Sequence, residues 1–125
     1  MKKVISSILA PAAIGPYSQA TEANGVIFTS GQIPLHPETG ELVGTTIEEQ
    51  TERVMQNLKA VLAEAGVGFD HVVKTTCFLA DLNDFTAFNA AYGKYFPENA
   101  PARSCFQVAG LPKGAKLEVE MIAVK

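Results

Sequence analysis

An α+β domain built on one mixed β-sheet, with two helices packed on one of its faces, is the fold this sequence predicts. Three observations predict it. Runs rich in β-branched and aromatic residues lie near both ends and in the middle of the chain, and two stretches with helical spacing separate them. The chain has 125 residues, enough for a single domain over 1–125 and too few for two ordinary ones. Hydrophobic residues make up 47% and charged residues only 18%, which supplies one core but leaves surface short of charge.

Taken in order, Val4–Ser6 reads as a short strand, followed by an irregular segment punctuated through Gly15-Pro16. Val26–Ser30 reads as a strand entered through Asn24-Gly25, a pair that tolerates positive φ and turns hairpins. Pro37 to Gly40 supplies another turn. A helix opens at Thr45 or Thr46, each with a Glu three residues on (Glu48 or Glu49), as a capping box requires. Its apolar face is Ile47, Thr51, Val54, Leu58, Val61, Leu62 and Ala65, and Gly66 ends it. Val72–Leu79 reads as a strand. Asp81 or Asn83 caps a second helix whose core stripe is Phe85, Phe88, Tyr92 and Phe96, closed by Pro97 and Pro101; Asn89 lies off that stripe. Ala102–Val108 and Lys116–Val124 are two final strands, joined through Leu111-Pro112-Lys113-Gly114 and expected to pair. With both helices on one face of the sheet, the other face needs cover, and the shortage of charge favours cover by a partner subunit.

Charge and cysteine usage exclude several classes. The net charge is −3, the sequence pI is near 5.3, and no basic stripe is present, so no nucleic acid partner is expected. The apolar run after Met1-Lys2-Lys3 stops at Ser6-Ser7 and Pro11. That is too short for a signal peptide core or a membrane span, so no membrane is expected. Cys77 and Cys105 read as reduced thiols of a cytoplasmic protein, and with two His and no Cys-x-x-Cys no metal is expected.

Strand alternation singles out a candidate site. Arg103, Cys105 and Gln107 share one face of their strand, while Ser104, Phe106 and Val108 share the other. On the next strand Lys116, Glu118 and Glu120 alternate with Leu117, Val119 and Met121. If both apolar sets enter the core, the opposite face gathers an arginine, a thiol and two carboxylates. The same pattern describes a solvated face with an Arg–Glu cross-strand pair. A guanidinium fork suits a carboxylate ligand, and a nearby Glu suits a water to be oriented or deprotonated. Together they suit hydrolysis of a small acid at the carbon beside its carboxylate. Cys105 is either a nucleophile or a spectator thiol, and neither His36 nor His71 stands in a context that marks an activating base. Gly31, in Thr29-Ser30-Gly31-Gln32, either lets backbone N–H groups approach a ligand or ends a strand at positive φ. Tyr17 follows the stiff Gly15-Pro16 turn.

These segments resemble the RidA/YjgF family of imine deaminases. The matching stretches are Ala13–Gln19, Thr29–Pro34, Val73–Thr76, Asp81–Phe85, and Pro101–Cys105 through Leu111–Ala115 to Glu118. The resemblance runs from about residue 10 to the C-terminus. It implies a chorismate-mutase-like fold, a homotrimer with sites in the clefts between subunits, and no cofactor. It implies hydrolysis of 2-imino acids, tautomers of 2-aminoacrylate and 2-aminocrotonate, to 2-keto acids and ammonia, which protects pyridoxal-phosphate enzymes. Arg103 would hold the substrate carboxylate and Glu118, rather than Glu120, would position the water. Backbone groups at Ser30 and Gly31 would seat the ligand, Tyr17 of a neighbouring chain would line the cleft, Cys105 would lie beside the substrate, and Asn89 would border it. The alternative is a non-catalytic ligand-sensing or chaperone-like trimer using the same cleft. A nuclease or translation-inhibitor role is opposed by the acidic pI.

Overall fold

The computed structural model describes residues 1–125. Its elements run β1 (Lys3–Ile5), β2 (Ala20–Ala23), β3 (Val26–Thr29), α1 (Ile47–Glu64), β4 (Val72–Leu79), α2 (Phe85–Gly93), β5 (Ala102–Gln107) and β6 (Leu117–Val124). One six-stranded mixed sheet holds them in the order β1-β2-β3-β6-β4-β5. The two helices share one face, because the α1 residues Val54, Leu58, Val61 and Leu62 and the α2 residues Phe88 and Tyr92 belong to a single buried cluster with Ile27, Val119 and Met121.

Local chemistry accounts for each boundary. At the start of α1 the Thr46 hydroxyl accepts from the Glu49 N–H (3.2 Å), and the Glu49 carboxylate accepts from the Thr46 N–H (3.1 Å). Of the two threonines offered by the sequence, Thr46 is the cap. All seven residues of the apolar face assigned to this helix are buried, and Gly66 follows at φ 82. Asn24 and Gly25 take φ 52 and 77, joining β2 to β3 by a tight turn. Neither Asp81 nor Asn83 caps α2 itself: Asp81 caps the short 3-10 turn Leu82–Asp84 that precedes it, its carboxylate accepting from the Asn83 N–H at 2.9 Å, and α2 is entered from Asp84, which makes no side-chain cap bond. Helix α2 stops at Gly93, well before Pro97, yet Phe96 still packs on Tyr92 with ring centroids 5.0 Å apart.

One expectation about the sheet fails. β5 and β6 do not pair: β4 lies between them, parallel to β5 and antiparallel to β6. The cause is α2. A helix between β4 and β5 carries the chain across the sheet, so the two strands run in the same direction and pair side by side. β6 must then enter on the other side of β4, where it bridges β4 and β3.

The faces follow from register. Thr75 of β4 stands beside Arg103 and Met121, and Cys77 beside Cys105 and Val119; these belong to the helix-covered face. Phe78 stands beside Phe106 and Glu118, on the uncovered face. Phe78 and Phe106 meet there edge to face at 5.3 Å. Phe28, Phe106 and Val124 are left 46%, 45% and 41% exposed on that face, which they share with Lys74, Thr76, Glu118 and Glu120.

Candidate functional site

Register places the arginine and the glutamate apart. Arg103 and Cys105 face the helices, and Glu118 and Glu120 face away from them, so in one chain the sheet itself separates the guanidinium from both carboxylates. The expected common face does not exist. By apolar content Ser104, Phe106 and Val108 are the set expected in the core, but parallel pairing with β4 puts Arg103, Cys105 and Gln107 on the core side. Each chain therefore carries the candidate residues in two separate groups.

The first group lies at the edge of the sheet under α2. The Arg103 guanidinium carbon lies 5.1, 5.4 and 5.9 Å from the ring centroids of Tyr92, Phe85 and Phe88. Its Nη1 donates to Asn89 Oδ1 at 2.6 Å. Asn89 thus shares the helix face with the aromatic stripe, in contrast to the expectation; four residues after Phe85 and three before Tyr92, it had the spacing to do so. The chain's two ion pairs are His71–Asp70 and Lys125–Glu22, so Arg103 is a half-buried cation with no carboxylate partner. Beneath it the hydroxyls of Thr75 and Tyr92 bond to each other at 2.8 Å, and burial pushes the Tyr92 phenol up. Burial raises the Cys105 thiol and the Arg103 charge opposes that rise. Its neighbour Cys77, fully buried, is pushed up to about 12. Neither sulfur has the lowered pKa of a nucleophilic thiolate.

The second group lies on the uncovered face. A cavity of about 530 Å³ is walled by Pro11, Ala12, Ile14, Tyr17 and Ile33, with Ser30, Gly31 and Glu118 among its polar lining. A β-bulge makes it. Phe28 pairs with Ile122 and Gln32 with Val119, four steps on one strand against three on the other, so one extra residue is accommodated around Ser30-Gly31. Gly31 does not take a positive φ; it is there for space. A Cβ on it would stand 2.0 Å from Glu118 Oε2. The Ser30 hydroxyl is already engaged, donating to the Ser18 carbonyl at 2.6 Å and so fixing the loop that carries Tyr17. Buried Gln19 fixes the same loop, accepting from the Ser7 N–H at 2.6 Å and donating to the Pro11 carbonyl at 2.8 Å. Nothing in the local residue pattern around Gln19 marks it for this role.

Glu118 is half-buried and lines this cavity, whereas Glu120 on the same face is exposed. Burial raises the Glu118 carboxyl above its ordinary value and the like charge of Glu120 adds to the rise. If ionised Glu118 activates water, the acidic limb of the pH profile of kcat/KM reports this raised value. Replacing Glu120 by Gln removes the repulsion and is expected to move that limb to lower pH with the plateau unchanged. An acidic limb unmoved in Glu120→Gln rules out Glu118 as its source.

Comparison with known proteins gives a consistent picture. The family model described as Endoribonuclease L-PSP matches residues 7–125. A RutC family protein of Synechocystis is 54% identical over 124 residues, covering 98% of this chain and 95% of its own length. The 2-iminobutanoate/2-iminopropanoate deaminase of Mus musculus is 48% identical over 125 residues, covering 100% of this chain and 93% of the mouse protein. Among solved structures, Escherichia coli TdcF with bound serine superposes with a TM-score of 0.94 at 44% identity, covering 98% of each chain. The folds therefore coincide across nearly the whole length. No helix is long and apolar enough to cross a membrane.

Proposed function

This chain belongs to the RidA/YjgF family, the family of the Endoribonuclease L-PSP model, and on that premise we propose that it is a hydrolytic deaminase of small 2-imino acids. The observation that carries the reading is the uncompensated guanidinium of Arg103, half-buried and held with its charge intact. A cation in that state suits a ligand carboxylate. The name of the mouse relative supplies the rest of the substrate, a C=N bond beside the carboxylate. The bound serine of TdcF is a ligand with the same carboxylate and a nitrogen on the same carbon.

Because Arg103 and Glu118 lie on opposite faces of one sheet, the proposed site is shared between copies. The uncovered face of each chain packs in a ring, most simply the homotrimer with a chorismate-mutase-like arrangement, and Glu118 and Tyr17 of one chain meet Arg103, Cys105 and Asn89 of the next. This corrects the sequence-based assignment, in which Arg103 and Glu118 belong to one chain and only Tyr17 to its neighbour. The large apolar side chains left exposed on that face, Phe28, Phe106 and Val124, are in keeping with such packing.

In this site Arg103 fixes the carboxylate and the Glu118 carboxylate takes a proton from water. The oxygen attacks the imine carbon and the C=N electron pair moves to nitrogen. Glu118 returns its proton to that nitrogen to give the carbinolamine, then relays the carbinolamine's hydroxyl proton to the same nitrogen as C=O forms and the C–N bond breaks, which releases ammonia and leaves the 2-keto acid. Positioning and one proton shuttle suffice, since a protonated imine carbon is already electrophilic; the scheme asks for no metal or organic cofactor. Such imines leave pyridoxal-phosphate dehydratases, and their removal in the cytoplasm protects enzymes of that kind. The nuclease reading in the family model's description would ask for cations along a phosphate backbone, and the net charge here is −3.

The test is a coupled assay in which a dehydratase generates the enamine and ammonia release is followed. The purified protein is expected to raise the rate above the uncatalysed background across serine- and threonine-derived intermediates. No acceleration with either, alongside binding of 2-keto acids, would replace the deaminase by the ligand-sensing alternative.

A further inference from the structure

Arg103 is held in an unusual way for a half-buried cation. Charged groups removed from water are ordinarily paired with an opposite charge. Here the holding is done by three aromatic rings at 5.1 to 5.9 Å and by one amide oxygen at 2.6 Å. All four groups come from one face of α2, at positions 85, 88, 89 and 92. The rings attract the guanidinium through their quadrupoles, and the Asn89 carbonyl attracts it through its dipole; neither neutralises it. A carboxylate at position 89 would grip the guanidinium harder, but it would occupy the charge that a ligand needs.

We infer that this face of α2 is a charge-preserving cradle, in which Asn89 and Phe85 are positioning residues that keep Arg103 fixed and available to an anion. The inference rests on the reading of Arg103 as a carboxylate clamp and deepens it. It also reassigns Asn89: its side-chain oxygen serves the arginine, not the substrate. Phe85 is the part of the cradle best suited to a test, because it is only partly buried and lies at the start of the helix. Phe88 and Tyr92 are core residues whose loss would disturb folding.

The experiment is titration of pyruvate, a simple 2-keto acid, into the full-length protein by calorimetry, with thermal melting as a control. Asn89→Asp keeps size and hydrogen bond but adds a like charge facing the ligand, and is expected to weaken pyruvate binding by about 30-fold or more. Asn89→Leu, similar in size with no acceptor, is expected to weaken it only about threefold. Phe85→Leu is expected to cost about threefold and Phe85→Trp nothing, since the larger ring retains the quadrupole. A merely structural role for Asn89 predicts the reverse order, with Leu at least as damaging as Asp. Pyruvate binding by Asn89→Asp within about threefold of the wild type overturns the cradle while leaving the clamp standing. If Asn89→Asp does not fold, equal binding by Phe85→Leu and the wild type overturns it instead. Absence of pyruvate binding in the wild type overturns clamp and cradle together.

Discussion

Arg103→Ala and Glu118→Gln, each inactive alone, are expected to regain activity when their chains are mixed in one oligomer. The single losses are large. Removing the guanidinium forfeits a two-point, charge-assisted grip and should lower kcat/KM at least about 100-fold. Removing the carboxylate's basicity should lower kcat by about 100-fold or more. Register puts the two side chains on opposite faces of the sheet, so a working pair must join different copies. In a head-to-tail ring, each junction takes Arg103 from one chain and Glu118 from the next, and equal mixing leaves about one junction in four with both intact. Co-refolded at equal amounts, the two variants should therefore recover about a quarter of wild-type ammonia release. Recovery no greater than the sum of the two separate variants would mean that no site is shared. Full activity in Arg103→Ala alone would remove the carboxylate clamp.

What the sequence did and did not reveal about this pair has a definite physical origin. Local signals are legible where neighbours in sequence decide the structure. The capping box at Thr46–Glu49, the repeat from Ile47 to Ala65 and the β-branched run Val72–Leu79 all depend on residues a few positions apart. Alternation along β5 correctly grouped Arg103 with Cys105 and Gln107. It could not say which group faces inward. A count of apolar residues picks the wrong inward group when the outer face carries apolar residues too, as Phe106 at 45% exposure illustrates. The pairing error has a similar source. Adjacent strands with a short connection usually pair, but the edge beside β4 was already claimed through the α2 crossover, sending β6 to the other side. One inverted face and one misplaced strand joined Arg103 to Glu118 within a chain where the fold divides them.

Gly31→Ala should separate catalysis from stability more sharply than any other single substitution at this site. A methyl group at position 31 would meet Glu118 Oε2 at 2.0 Å and its Cδ and Cγ at 2.8 and 2.9 Å. All three atoms belong to one flexible side chain, so relief needs only a rotation of Glu118 away from the bulge and no movement of backbone. The backbone at 31 does not demand glycine, since its φ is not positive, and the added Cβ restricts the unfolded chain. The melting temperature is thus expected to change by no more than about 3 °C. The carboxylate, however, leaves the position from which it faces the cavity wall of Tyr17 and Ile33. A base displaced by an ångström or more loses most of its advantage, and kcat should fall about 100-fold, toward the level of Glu118→Gln. The double variant should then be scarcely worse than either single one, because both remove the same group. Wild-type turnover in a folded Gly31→Ala protein would show that the proton is carried elsewhere, and multiplicative losses in the double variant would show that Gly31 acts on the ligand through its own backbone and not through Glu118.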